Sequence, residues 1–361
     1  MTDTTAMGEA VAAVRDPLLD RTLGELDMVG EVSVRRLGAD SVRIVVPVPN
    51  YPMLEELESR VLEAVDDLTS KVEVTFDVMA DDARARMMED LRSHAGPGVG
   101  ESGSPTRTIA VASGKGGVGK SSVTTNLAVA LARLGKTVGV IDADIWGFSI
   151  PRMLGVDHPP VVIEESIVPP QVHGVKAMSM DYFVGDDRAV IWRGPMLHKA
   201  IEQFLKDVWW DAPDFLLVDM PPGTGDVSIS LSQFLPRAQV LLVTTPQPTA
   251  QRVARRAALM AAQVEQEVMG VVENMSWFTG DDGVRYVLFG EGGGSALAEE
   301  LDVPLMAQIP LLPAMREGAD EGRPVEVVAP GSEVSKAFVS LAEAVIARRP
   351  RVRTHPELVI R

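Results

Sequence analysis

The sequence predicts an α/β protein: a mostly parallel sheet covered by helices on both faces, preceded by a small α/β domain. Three observations carry this. From Arg107 onward, apolar β-branched runs alternate with segments of helical spacing, as βαβ units do. Several of those runs end in a polar side chain, Asp142, Asp219 or Asn274, and parallel sheets gather ligands at the carboxyl ends of their strands. A stretch dominated by glycine, proline and serine, residues 93–106, reads as a flexible linker and sets residues 1–92 apart as the small domain. The larger domain is then 107–349, and 350–361 a basic tail.

Composition sets the bounds. A chain of 361 residues with 46% hydrophobic content suits two domains and a large core. With no cysteine it has neither a disulfide framework nor a thiolate metal site of its own. The start, Met1 to Ala6, lacks the basic and apolar regions of a signal peptide, and no apolar run reaches bilayer length. The default is a soluble cytoplasmic protein. A net charge of −17 argues against a nucleic-acid partner and, more weakly, against a membrane.

In the first domain, Ala10–Arg15 reads as a helix that Asp16-Pro17 stops. Val32–Leu37 and Ser41–Val46 read as strands joined by a turn at Gly38–Asp40. Met53–Val65 has apolar positions three and four apart, the spacing of an amphipathic helix, and Val72–Val78 reads as a third strand.

The most specific signal follows. Ile109–Ser113 is a short strand, Gly114–Ser121 fits GxxxxGK[ST], and Val123–Arg133 is a helix; strand, loop and helix is the context a phosphate loop requires. Gly114, Gly116, Gly117 and Gly119, with Lys115, Val118, Lys120, Ser121 and Ser122, would surround a polyphosphate such as ATP with main-chain amides. Lys120 would reach the outer phosphates and Ser121 would ligate Mg²⁺. Asp142 and Asp144, closing the next strand, could hold Mg²⁺ through water or orient an attacking water. Asp219, closing the Phe215–Asp219 run, takes the Walker B position, and Gly223 and Gly225 give the next loop freedom to respond to nucleotide. Asp226 would cap the helix Val227–Leu235.

Lys115 makes the loop Lys-Gly-Gly-Val-Gly-Lys-Ser. This resembles the deviant Walker A signature of the MinD, ParA and nitrogenase-iron-protein superfamily of P-loop NTPases. The resemblance implies an ATP-dependent homodimer in which Lys115 crosses to the partner's nucleotide, so that Lys115, Lys120 and Asp144 act in catalysis. It also implies that Asn274 reads the adenine edge and that Pro310 and Leu311 wall the base; an amide can donate and accept at once.

Asp144-Ile-Trp-Gly-Phe-Ser-Ile-Pro, Trp192-Arg-Gly-Pro-Met and Asp219-Met-Pro-Pro-Gly-Thr-Gly-Asp resemble the wording of the Mrp (ApbC) branch, as does the small domain ahead. Arg193 is there a candidate contact to phosphate or to the partner subunit. Membership implies a carrier of iron–sulfur clusters that delivers them to apoprotein clients or works with assembly factors. The chain departs from that pattern twice. Tyr51 of Asn50-Tyr51-Pro52 stands where a reactive cysteine is usual. The Cys-x-x-Cys pair expected after Asn274-Met-Ser is replaced by Trp277–Gly290, whose Thr279–Gly283 is a tight turn between two short strands. Asp281 and Asp282 are hard ligands and poor substitutes for thiolates. The alternative is a MinD/ParA-like regulatory or positioning ATPase that binds a protein partner and no cluster. The last helix, Ser332–Arg349, has an apolar face of Val334, Phe338, Leu341 and Val345, which suits packing on the sheet better than on lipid.

Overall fold

The computed structural model describes residues 3–35, 38–144, 147, 149–183, 194–223 and 226–350. They divide into two compact units. One comprises Met1–Gly96, His158–Gln171 and Asp207–Asp211; the other comprises Pro97–Asp157, Val172–Lys206 and Ala212–Arg361.

The first unit opens with α1 (Thr4–Ala12), which begins well before the expected Ala10 because the Asp3 side chain accepts from Thr5 N and caps it. Strands β1 (Val29–Ser33) and β2 (Asp40–Val46) pair antiparallel, and β2 pairs parallel with β3 (Val72–Val78). Between them α2 (Leu54–Val65) buries Leu57, Val61 and Val65, one residue per turn of the expected stripe. Helix α3 (Asp81–His94) was not legible as a helix, because its sequence is charged nearly all round and only Met87, Met88 and Leu91 are buried. It occupies residues 93 and 94, which the linker reading had claimed.

Val99 is buried, and a Cβ on Gly100 would lie 2.9 Å from both Leu235 Cδ2 and the Phe234 carbonyl oxygen. The first unit is also larger than residues 1–92. Ile163, Val168 and Trp209 join its core. Arg92 donates to Ser166 Oγ at 2.8 Å, Arg84 pairs with Glu164 at 2.6 Å and Arg21 with Asp211 at 2.8 Å.

The second unit starts from β4 (Arg107–Ser113), α4 (Lys120–Arg133), β5 (Val138–Asp142) and α5 (Ile150–Leu154). After the hairpin β6 (Val161–Ile163) and β7 (Ser166–Val168) of the first unit come β8 (Gln171–Val172), β9 (Val175–Ser179), α6 (Gly194–Lys206) and β10 (Phe215–Asp219). Then follow α7 (Asp226–Phe234), β11 (Gln239–Thr244), α8 (Pro248–Gln263), β12 (Glu267–Thr279) and β13 (Arg285–Tyr286). The chain closes with α9 (Gly293–Glu300), β14 (Leu305–Leu311), α10 (Pro313–Asp320), α11 (Val325–Val328) and α12 (Glu333–Ala347).

Strands β9, β5, β10, β4, β11, β12 and β14 lie side by side in that order, each pair parallel; β13 adds antiparallel to the end of β12. Every residue of β5, β9, β10 and β11 is buried, so both sheet faces are covered. The topology explains how. The β4-to-β5 connection moves one way across the sheet and β11-to-β12 the other, so right-handed crossovers put α4 and α8 on opposite faces. On the α4 side, Val334, Phe338, Leu341 and Val345 of α12 join Ile109, Val111 and Leu217 in one core. That burial places the apolar face of the last helix on the sheet. No helix among the described residues is long and apolar enough to cross a membrane.

Candidate nucleotide site

The carboxyl ends of β4, β5 and β10 converge because β10 lies between the other two. Asp219 is level with Val111 on one side and with Asp142 on the other. The loop from Gly114 to Gly119 leaves β4 at that edge and runs into α4. Gly117 has φ +78° and Gly119 φ +79°, the left-handed region that favours glycine. Helix α4 starts at Lys120 behind the N-cap Gly119 with no side chain capping it, so its first-turn amides lack a side-chain acceptor, the arrangement that suits an anion. Val118 is buried and anchors the loop, whereas Gly116 and Gly117 are exposed. Ser122, half-buried in the first turn of α4, has its carbonyl bonded by Asn126.

Lys120 is buried and donates to Asp219 Oδ2 at 2.5 Å, with Asp144 Oδ2 3.9 Å from the same ammonium. Ser121 donates to Asp219 Oδ2 at 2.6 Å. The other oxygen, Asp219 Oδ1, accepts from Thr124 Oγ1 at 2.7 Å. Ser121 and Asp219 therefore share one point, with a lysine ammonium standing in for a cation. Magnesium usually keeps several waters and uses one or two carboxylates plus substrate phosphates. This donor set fits that habit, and among the described residues no cluster of three or more His, Cys, Asp or Glu offers a metal site built from protein alone.

Asp142 faces inward. One oxygen accepts from Asp144 N, the other from Ser149 N and Ile150 N, so its carboxyl organises the loop that carries Asp144. Burial foremost, then the neighbouring Asp219, pushes its pKa up to about 7.

Lys115 donates to Gln247 Oε1 at 3.1 Å, within its own subunit. Asn274 is buried and donates to the Val118 carbonyl at 2.9 Å, which ties the middle of β12 to the phosphate loop; the strand runs on to Thr279, past the end the sequence suggested. Pro310 is buried on β14, one residue beyond Ile309, the partner of Asn274. The expected residues of the loop and of β5, β10, β12 and β14 thus lie at one edge of one sheet. Arg193, Trp146, Phe148 and Gly225 lie outside the described residues, as do the side chain of Asp226 and the tail 351–361.

Two residues at this edge escape a motif reading. Thr124 is one turn after Lys120, so the i, i+4 spacing could have pointed to it. Gln247, the residue before α8, shows in sequence only as the residue ahead of a helix-starting proline.

At the departure from the Mrp pattern, β12 and β13 form the expected hairpin, pairing Phe278 with Tyr286 and Thr279 with Arg285. Asp282 accepts from Tyr286 and from Val284 N, and those bonds hold its pKa below the usual carboxylate value. The Arg285 guanidinium lies 4.3 Å over the Trp277 ring and pairs with Glu333 at 2.6 Å. Side-chain bonds close this hairpin, and it has no thiolate to offer an iron–sulfur cluster.

A phosphate loop between strand and helix, with a Walker B carboxylate on the adjacent strand, defines a nucleotide-binding P-loop NTPase. Residues 104–346 match the ParA family model described as NUBPL iron-transfer P-loop NTPase, and the chain belongs to that family. It is 45% identical over 359 residues to the iron-sulfur cluster carrier protein of Mycobacterium leprae, covering 96% of this chain and 94% of that one. It is 41% identical over 304 residues to the protein of the same name in Bacillus subtilis, covering 83% and 86%. Among solved structures it resembles an Archaeoglobus fulgidus nucleotide-binding protein in complex with ADP, with TM-score 0.54 and 36% identity, over 65% of this chain and 91% of that one. The septum site-determining protein MinD of Pyrococcus horikoshii, complexed with Mg-ADP, gives TM-score 0.51 and 28% identity over 66% and 96%.

Proposed function

We propose that this protein is a Mg-ATP-hydrolysing homodimer that serves iron–sulfur cluster assembly, passing clusters toward apoprotein clients in the cytoplasm. The observation that carries the ATPase part is the meeting of Lys120, Ser121 and Asp219 at the mouth of the phosphate loop. In this reading Gly114 to Ser122 cradle the phosphates, and Lys120 leaves Asp219 for the outer phosphates. Ser121 and Asp219, with Asp142 and Asp144 behind them, hold Mg²⁺, which would supply charge neutralisation at the phosphates. Asp144 orients the attacking water, Lys115 reaches the partner's nucleotide, and Asn274 and Pro310 border the adenine.

The assembly part rests on the named relatives, which match across nearly the whole chain. The cluster is cargo here, and its thiolate ligands must come from another protein, because this chain has none. Anaerobic incubation with iron and sulfide that leaves the purified protein without stoichiometric cluster would remove the carrier role in its usual form and leave only a part in assembly. A deletion strain should lose activity of iron–sulfur enzymes, and Lys120→Ala should fail to restore it. Normal iron–sulfur enzyme activity in that strain would instead favour a regulatory ATPase with a protein partner, the reading that the cysteine-free hairpin at Trp277–Tyr286 supports.

A further inference from the structure

Lys115 is the second residue of the phosphate loop, and its ammonium is held 3.1 Å from Gln247 Oε1. The acceptor is well placed to be a fixed point. Gln247 immediately precedes α8, which continues with Pro248. Helix α8 lies so close to the loop that a Cβ on Gly114 would sit 2.2 Å from the Val253 carbonyl carbon and 2.3 Å from Ala254 N. The start of the loop and the second turn of α8 are therefore packed as one piece. Lys115 extends along that piece instead of outward.

The type of acceptor matters. A neutral amide holds an ammonium by one hydrogen bond and leaves its charge intact; a carboxylate there would neutralise it. No salt bridge to Lys115 is found among the described residues, although the protein is strongly acidic. A weak, charge-preserving hold suits a group that must later be surrendered to a phosphate.

We infer that Gln247 is a positioning residue: it keeps Lys115 on its own subunit until nucleotide-dependent pairing of two copies moves the ammonium to the partner's phosphates. The inference rests on the homodimer reading above. It assigns Gln247 a part of the dimerisation equilibrium, because breaking its bond to Lys115 is a cost of engagement.

The test uses the full chain with Mg²⁺ and a non-hydrolysable ATP analogue, reading the monomer–dimer constant by sedimentation. Gln247→Leu releases Lys115 and should tighten the dimer by about three- to tenfold. Gln247→Glu turns the hold into an ion pair and should weaken the dimer by about the same factor. In a Lys115→Ala background the Gln247 variants should all give one constant. A purely structural Gln247 would move both variants in the same direction, or keep its effect without Lys115, and either result overturns the assignment. If wild type forms dimers and the variants match it, the positioning role falls and the homodimer reading stands. If wild type forms no nucleotide-dependent dimer, the homodimer reading falls and takes this one with it.

Discussion

Lys120 Nζ and Asp219 Oδ2 are bonded at 2.5 Å at the buried edge of the sheet, so the lysine proposed to bind phosphate rests on the carboxylate that closes β10. Each is the other's counter-charge. A polyphosphate entering the loop competes for the ammonium and releases the carboxylate.

The first prediction follows from that exchange. Asp219→Asn removes the bonded counter-charge of a buried ammonium and leaves it only Asp144, 3.9 Å away, so the cost falls below the about 3–5 kcal/mol of a fully broken buried pair. The variant should melt well below wild type without nucleotide. ATP restores a counter-charge to Lys120, so it should raise the melting point of Asp219→Asn more than that of wild type. Hydrolysis should still fall about a hundredfold or more, because charge at the transferring phosphates is lost. Thermal shift with and without ATP, beside steady-state hydrolysis, checks both halves. Equal ATP stabilisation of the two proteins would contradict the exchange.

Thr124 carries the second. Its hydroxyl has one proton and two acceptors in reach, Asp219 Oδ1 at 2.7 Å and the Lys120 carbonyl at 3.0 Å. It can steady Asp219 in one state and fall back on its own helix in another without leaving a buried donor unpaired. Thr124→Val keeps the shape and removes that proton. Apparent Mg²⁺ affinity in the ATPase assay should fall about ten- to a hundredfold, the worth of one bond to a charged group, and Thr124→Ser should restore it. Failure of serine to rescue would assign Thr124 to packing alone.

The third concerns backbone approach. At Gly119 a Cβ would lie 2.2 Å from Asn274 Nδ2, on a backbone with φ +79°. Gly119→Ala should detach Asn274 from the Val118 carbonyl and strain the loop at about 1–3 kcal/mol. ADP affinity, measured by calorimetry, should drop. Gly117 has the same sign of φ but open space around its Cβ, so Gly117→Ala bears only the conformational cost and should be the milder variant.

The loop and its flanking elements were legible because their signals are local: a strand run, glycines at fixed offsets, then helical spacing from Val123. The convergence of Asp142 and Asp219 was legible only as strand ends, since the order placing β10 between β4 and β5 is set by packing and not by neighbours in sequence. For the same reason the sequence could not show that Asp142 points to the Ser149 and Ile150 amides. Helix α3 was missed because charged residues dominate it and its apolar stripe is short, confined to Met87, Met88 and Leu91. The joining of Ile163, Val168 and Trp209 to the first unit's core was missed because contacts made from far along the chain leave no local trace.

The last prediction concerns Tyr51, which stands where a cysteine was expected. Its hydroxyl donates to the fully buried Asp16 carboxylate, 2.6 Å from one oxygen and 2.7 Å from the other, and Leu18 N and Leu19 N donate there too. Burial raises the Asp16 pKa, and these bonds only partly oppose it. The phenol stays protonated throughout, since burial and Asp16 push its pKa up. An acid whose folded pKa is raised favours folding below its unfolded value of about 3.9 and loses that contribution as pH climbs through the folded value. Tyr51→Phe removes a donor to the charged form and raises the folded pKa further. Well below the unfolded value Asp16 is neutral in both states, and the variant should lose only a neutral bond, about 0.5–1.5 kcal/mol. Above the folded pKa the same substitution should cost about 1.5–3 kcal/mol, the worth of a bond to a charged group. Urea unfolding of wild type and variant at acid and at mildly alkaline pH measures both costs. A penalty that stays constant between them would mean that Asp16 does not titrate against Tyr51.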